Sequence, residues 1–79
     1  MPKTVYSPGY IALIQRIRAR RLELGLTQAD AAAKAGRDRL WWQRMEGGTR
    51  RADFLETVDT LRVLGIKLSE AVRIIEGKP

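Results

Sequence analysis

Four side chains between residues 39 and 44 bring hydrogen-bond donors, an acceptor and an apolar group into one short stretch. They are Arg39, Leu40, Gln43 and Arg44. A guanidinium group can donate two parallel hydrogen bonds to guanine, a carboxamide can bridge the donor and acceptor of adenine, and an aliphatic side chain can contact the thymine methyl group. Because residues three and four apart share one side of a helix, these four could form one base-reading surface.

The segment TQADAAAKAGRDRLWWQRME, which begins at Thr27, contains the elements that would position this surface. Thr27 is a suitable N-cap for a helix over residues 28–35, and Gly36 follows where helices commonly end in a left-handed residue. Asp38 is a suitable N-cap for a second helix over residues 39–46. Two short helices joined by about three residues that include glycine are typical of a helix-turn-helix.

One side of the second helix carries large apolar groups. Trp42 and Met45 lie three residues apart and point to the same side, where we expect them to pack against Leu26, Ala31 and Ala35. With that side buried, the four base-reading candidates remain free for solvent or DNA.

Further helices are predicted before and after this unit. The Ser-Pro pair at residues 7–8 favours a helix over residues 8–24. Its inward positions are expected at Ile11, Ile14, Ile17, Leu22 and Leu24. Asp53 and Glu56 form a capping box that favours a helix over residues 54–64.

A last short helix is predicted near the end of the chain. Ser69 is expected to cap a helix over residues 70–76, which ends at Gly77. Its inward positions are expected at Leu68, Ala71, Val72 and Ile75. Ile74 falls outside that stripe. Because no stretch alternates convincingly between apolar and polar residues, the sequence predicts an all-α fold of five helices with no sheet.

The positive charge is concentrated in and around the helix-turn-helix. The chain of 79 residues has a net charge of +6, and residues 16–51 account for all of it, with ten basic and four acidic residues. Such a surface is expected where a protein neutralises phosphates. At this length we expect one domain over residues 1–79.

The residue inventory argues against several function classes. The chain has no histidine and no cysteine, which removes disulfides and the usual metal ligands, so we expect no metal and no cofactor. Serine and threonine have no candidate base nearby in the sequence, so we do not expect an enzyme. No apolar run approaches the roughly 20 residues that cross a bilayer, and no signal peptide is evident. We therefore expect a cytoplasmic protein, associated with the nucleoid through DNA and not with a membrane.

Several motifs together resemble the Cro and phage-repressor type of helix-turn-helix domain, also called the xenobiotic response element family. They are LGLTQ at 24–28, Ala32, Gly36, the pattern of Arg44, Glu46 and Gly48, and LGIKLSEAV at 64–72. The similarity covers about residues 10–76 and implies a compact five-helix domain like that of lambda repressor.

The resemblance implies roles for individual residues. It assigns the base-reading positions to Arg39, Leu40, Gln43 and Arg44. The residues expected to bind DNA phosphates are Thr27, Gln28, Arg37, Thr49, Arg50 and Arg51. Arg21 and Glu46 occupy the positions of an internal ion pair between the first helix and the recognition helix.

Two departures from the family pattern concern bulky side chains. Arg37 replaces a small apolar residue, which suggests a phosphate contact or an altered turn. Trp42 replaces Val or Ile, and its ring could fill the space left by the small Ala31. Trp41 could pack at the edge of the turn or contact DNA.

The function implied is a sequence-specific transcription regulator, most simply a bacterial or phage repressor. The alternative is an antitoxin-like protein that binds a toxin partner and also represses its own operon. Because one such domain has a small footprint, a homodimer on double-stranded DNA is expected, with residues 72–79 as the candidate dimer surface. Ile74 could lie at that interface or be a partly covered surface residue.

Overall fold

The computed structural model describes residues 7–77, which form five α-helices and no strand. They are α1 (Pro8–Glu23), α2 (Gln28–Lys34), α3 (Arg39–Glu46), α4 (Phe54–Leu64) and α5 (Leu68–Glu76). The all-α, five-helix prediction is confirmed, and the bounds of the first four helices agree with it to within one residue. None of the helices in this range has both the length and the apolarity needed to cross a bilayer. Residues 1–6, and Lys78 and Pro79 of the predicted dimer surface, lie outside the described residues.

Side-chain caps determine where the first four helices begin. In each of them the N-cap side chain accepts a hydrogen bond from a backbone N–H of the first turn. These N-caps are Ser7, Thr27, Asp38 and Asp53. At Thr27 and Asp53 the capping box is complete, because Asp30 and Glu56 each accept a hydrogen bond from the N-cap backbone.

The hydrophobic core surrounds α1, which packs against α3, α4 and α5, while α2 packs against α3 and α4. The buried apolar side chains are Tyr10, Leu13, Ile14, Ile17, Ala31, Ala32, Trp42, Met45, Leu61, Leu64, Ile66 and Ala71. Trp42 and Ala31 are both fully buried in the same core cluster. Leu26 and Ala35 pack against the core from its edge.

The buried face of α1 differs from the predicted one. Ile14 and Ile17 are buried as expected, but the other three predicted positions are 41% to 55% exposed. Those three are Ile11, Leu22 and Leu24. The buried stripe continues instead to Arg21, because its guanidinium group has a buried carboxylate partner. The apolar pattern alone could not reveal that a charged residue shares the core face.

The inward face of α5 was also predicted wrongly. Ala71 is buried and Ile74 packs against the core, whereas the other predicted positions are 45% to 49% exposed. Those positions are Leu68, Val72 and Ile75. The backbone of α5 lies close to α1 here, since a Cβ atom on Gly9 would overlap the Ile75 carbonyl group.

The start of α5 also differs from the prediction. The helix begins at Leu68, and Lys67 is its N-cap without a side-chain hydrogen bond, so the prediction that Ser69 caps this helix was wrong. Glu70 in its first turn accepts a hydrogen bond of 3.0 Å from Arg16 Nε of α1. This contact holds the first turn of α5 against α1.

Candidate nucleic-acid interface

The two sides of α3 have opposite environments. Trp42 and Met45 are 0% and 1% exposed and hold one side in the core. The opposite side carries the four side chains that were predicted to read bases, and all of them are exposed. They are Arg39, Leu40, Gln43 and Arg44. Burial of a large ring at Trp42 fixes the rotation of α3, since turning the helix would expose the ring and bury charged groups.

The turn between α2 and α3 sets the angle between them. Gly36 has a φ of 73°, a left-handed conformation that glycine adopts without strain. The next backbone N–H, of Arg37, donates a hydrogen bond of 2.8 Å to the carbonyl of Ala32 and so closes the end of α2. Asp38 then accepts a hydrogen bond of 2.7 Å from the Trp41 backbone and starts α3.

A buried carboxylate at the end of α3 joins that helix to α1. Glu46 accepts hydrogen bonds of 2.8 Å from both Nε and Nη2 of Arg21, and the two side chains are 3% and 8% exposed. The remaining terminal nitrogen of Arg21, Nη1, donates 2.8 Å to the carbonyl of Leu26. The guanidinium group is therefore well satisfied, as a buried charge requires. These are the two residues predicted to form an internal ion pair.

Two more side chains donate hydrogen bonds to the same carboxylate. Trp42 Nε1 donates 2.7 Å to Glu46 Oε2, and Gln28 Nε2 donates 3.2 Å to Oε1. Burial raises the pKa of Glu46, but the hydrogen bonds from Arg21, Trp42 and Gln28 outweigh it and hold the pKa below its ordinary value. We refer to Arg21, Gln28, Trp42 and Glu46 as the Glu46 cluster.

The exposed side of α3 is partly ordered by its own side chains. Arg39 Nη1 donates a hydrogen bond of 3.1 Å to Gln43 Oε1, four residues further along the helix. Arg44 has no side-chain partner among residues 7–77. Leu40 is 49% exposed beside them. This side thus presents guanidinium donors, an amide and an apolar group to solvent.

The loop after α3 places further basic groups near the end of that helix. The backbone N–H groups of Thr49 and Arg50 donate 2.9 and 3.1 Å to the carbonyl of Arg44, and the Thr49 hydroxyl donates 3.2 Å to the same oxygen. The Arg51 guanidinium lies 5.1 Å from the ring centre of Tyr10. The predicted phosphate-binding residue Thr27 is exposed at the start of α2.

A second cluster of charged and aromatic side chains connects the start of α3 to α4. The Arg37 guanidinium lies 5.1 Å and that of Arg50 lies 6.0 Å from the ring centre of Trp41. Arg50 Nη2 donates 3.2 Å to Glu56, and Arg37 Nη2 donates 3.2 Å to Asp59. We refer to these five residues as the Glu56 cluster. Trp41 thus packs beside the turn, which is one of its two predicted environments.

A comparison with protein families matches residues 12–73 to the family described as the helix-turn-helix domain. The chain belongs to this helix-turn-helix family. No similar sequence was found among the curated proteins. In helix-turn-helix domains the second helix of the motif lies in the DNA major groove, and here that helix is α3.

The two clusters of this helix-turn-helix domain contain contacts that the sequence did not predict. Trp42 was predicted to be buried, but not to donate to Glu46, although a spacing of four on one helix could have revealed it. Glu56 was predicted only as a capping residue. Its contact with Arg50 comes from the fold of the loop, and the contact between Arg37 and Asp59 joins residues 22 positions apart, for which the sequence has no local signal.

Proposed function

We propose that the protein is a sequence-specific DNA-binding transcription regulator that acts as a repressor by occupying a promoter. The observation that supports this most strongly is the fixed orientation of α3, with Trp42 fully buried and Arg44 exposed on the other side. A helix held in this way can enter the major groove without rearrangement of the core.

Base recognition is assigned to the exposed side of α3. Arg39 and Arg44 can each donate two hydrogen bonds to a guanine, and Gln43 can bridge the donor and acceptor of an adenine. Leu40 can contact a thymine methyl group. The hydrogen bond between Arg39 and Gln43 limits the motion of both side chains before binding and so lowers the entropy cost of ordering them.

Phosphate contacts are assigned to the residues around α3. The exposed candidates are Thr27 at the start of α2, and Thr49, Arg50 and Arg51 in the loop after α3. Gln28 is a candidate through its backbone N–H, because its side chain donates to Glu46. We do not assign a phosphate contact to Arg37, because its side chain is only 27% exposed and lies beside both Asp59 and Glu56.

The test is selection of bound duplexes from a random pool, followed by affinity measurements on variants. Arg44→Ala should weaken binding to the selected duplex by about 1–3 kcal/mol and relax the preference at one base pair. Arg51→Ala should weaken binding to all duplexes similarly and reduce the salt slope by about one. Arg62→Ala is the matched control, because it removes an equal charge from the exposed surface of α4, away from the proposed dimer surface.

Two results would contradict this proposal. One is failure of any duplex to bind at low ionic strength, where phosphate contacts are strongest. The other is an equal loss for Arg44→Ala and Arg62→Ala on selected and random duplexes, which would leave only a general effect of charge.

Dimerisation on DNA is assigned to α5, with a second copy of this chain as the partner. Its exposed apolar residues are Leu68, Val72 and Ile75. Ile74, which the sequence suggested as a possible dimer contact, packs against the core and is therefore unsuited to that role. The longest Cα dimension of the domain is 31 Å, comparable with the roughly 34–36 Å between half-sites one helical turn apart, so two bound copies would be close neighbours.

Equilibrium sedimentation tests the dimer. Val72→Asp should shift the protein towards monomer and weaken binding to a duplex with two half-sites, while binding to one half-site is unchanged. Arg73→Ala on the same helix should leave the association state as it is. A wild-type protein that remains monomeric at high concentration, with and without DNA, would exclude the dimer.

A further inference from the structure

Glu56 is the common acidic neighbour of two arginines beside the α3 helix. Its Oε2 atom accepts 3.2 Å from Arg50 Nη2 and lies 3.9 Å from Arg37 Nη1. Its Oε1 atom accepts 2.9 Å from the backbone N–H of Asp53, in the capping box of α4. The side chain is only 12% exposed, so the carboxylate is held in place by α4 and screened from water.

Arg37 is held in this cluster by several contacts. Its Nη2 atom donates 3.2 Å to Asp59, and its guanidinium group lies 5.1 Å from the centre of the Trp41 ring. The side chain is 27% exposed. Leaving the cluster would remove two carboxylate neighbours and a cation–π contact, so exchange of Arg37 with an outside anion is costly.

Arg50 is held far less firmly. Its side chain is 47% exposed against 27% for Arg37, Glu56 is its one carboxylate neighbour within residues 7–77, and it is 6.0 Å from the centre of the Trp41 ring. Its backbone N–H is bound to the carbonyl of Arg44 at the end of α3. The side chain can therefore change partner while its backbone stays beside the candidate recognition helix.

We propose that Glu56 is an internal counter-ion for Arg50, and that a phosphate oxygen of bound DNA displaces it while Arg37 stays in place. Carboxylate and phosphate both match the guanidinium fork, so one can replace the other. Arg50 is 47% exposed and Glu56 keeps Arg37 beside it, so the exchange costs less than breaking a fully buried ion pair. Glu56 is not left alone after the exchange, because Arg37 and the Asp53 backbone N–H remain beside it. This inference rests on the proposed function.

A double-mutant cycle on binding to a random duplex tests the exchange. Glutamine also serves at the third position of a capping box, so Glu56→Gln keeps the α4 cap and removes the charge. It should tighten binding by about two- to five-fold, the range that corresponds to loss of one ion pair whose arginine is exposed. In the Arg50→Gln background, Glu56→Gln should tighten binding no more than the control variant Glu70→Gln does.

The control is Glu70→Gln on α5, which removes an equal charge and an arginine partner, Arg16. General attraction between a more positive protein and DNA affects both variants, whereas release of Arg50 affects only Glu56→Gln. An equal gain for Glu56→Gln and Glu70→Gln, or an equal gain with and without Arg50, would overturn the inference. Circular dichroism confirms that each variant is folded.

Nuclear magnetic resonance of the arginine side chains gives a second measurement on the wild-type protein. Addition of a duplex should shift the side-chain signals of Arg50 and leave those of Arg37 nearly unchanged. Equal shifts for both, or none for Arg50, would contradict the exchange even if the duplex binds. If the wild-type protein binds no duplex at all, the proposed function fails and this inference fails with it.

Discussion

The Glu46 and Glu56 clusters contain the same kinds of groups but differ in their exposure to solvent. Each joins a tryptophan of α3 to a carboxylate and to arginine. In the Glu46 cluster the ion pair is 3% and 8% exposed, and the indole N–H of Trp42 donates to the carboxylate. In the Glu56 cluster Arg50 is 47% exposed, and Nε1 of Trp41 has no hydrogen-bond partner within residues 7–77.

The difference shows that the cost of breaking an ion pair depends on how deeply the pair is buried. A buried carboxylate that loses its partner remains as an uncompensated charge, so the Glu46 cluster must stay intact for the fold to persist. An exposed arginine can exchange its partner for water or another anion at little cost. We therefore interpret the Glu46 cluster as structural and the Glu56 cluster as the more adjustable of the two.

The largest effect is expected when the buried pair is broken. Arg21→Ala should lower the free energy of unfolding by about 3–5 kcal/mol, because it leaves Glu46 buried without its main partner. Urea unfolding followed by circular dichroism measures this. Arg16→Ala, which breaks the more exposed contact with Glu70, is the control and should cost at most about 1 kcal/mol. Equal losses would show that burial does not distinguish the pairs.

The two tryptophans provide the next comparison. Trp42→Phe removes a hydrogen bond to a charged group and should lower the free energy of unfolding by about 1.5–3 kcal/mol. Trp41→Phe removes an N–H without a hydrogen-bond partner in the described chain and should cost less, about 1 kcal/mol. Urea unfolding of both variants tests this order. A greater loss for Trp41→Phe would reverse the interpretation of the clusters.

The pH dependence of stability sharpens the comparison at Glu46. The pKa of this carboxyl is below its ordinary value of 4.5 in the folded protein, so its ionised form stabilises the fold above that pH. This contribution is lost as the pH falls through the lower folded pKa. Glu46→Gln should therefore differ most from wild type near neutral pH and progressively less in acid. A difference in urea midpoint that is independent of pH would contradict this assignment.

The smallest effect on stability is expected at Glu56. Glu56→Gln should lower the free energy of unfolding by less than about 1 kcal/mol, since the capping box is kept and the lost ion pair includes an exposed arginine. The same urea experiment measures it beside Arg21→Ala. A loss as large as that of Arg21→Ala would place the Glu56 cluster among the structural contacts.

Local signals were sufficient for much of the fold. Thr27, Asp38 and Asp53 start helices because their side chains accept backbone hydrogen bonds within three residues. Gly36 ends α2 because it has a positive φ. The inward direction of Trp42 also followed from spacing along a single helix. These features depend on neighbours along the chain, and a pattern of residues can express them.

Which sides of α1 and α5 are buried could be determined only from their contacts with the rest of the molecule. Arg21 enters the core because Glu46, 25 positions later, supplies the carboxylate that its charge needs. α5 turns Ile74 towards the core and leaves Ile75 exposed, and its backbone at Ile75 lies close to Gly9 of α1. Each outcome depends on atoms that are distant in the chain and adjacent only after folding.

Caps, turn glycines and apolar spacing thus specified the number and order of the helices, and also which side of α3 faces outward, because each acts within a few residues. The family resemblance had already assigned Arg21 to Glu46, whereas the partners of Glu56 and the rotation of α5 were set by tertiary packing. The physical reason is that the cost of burying charge and the limits on close contact depend on everything around a group in three dimensions.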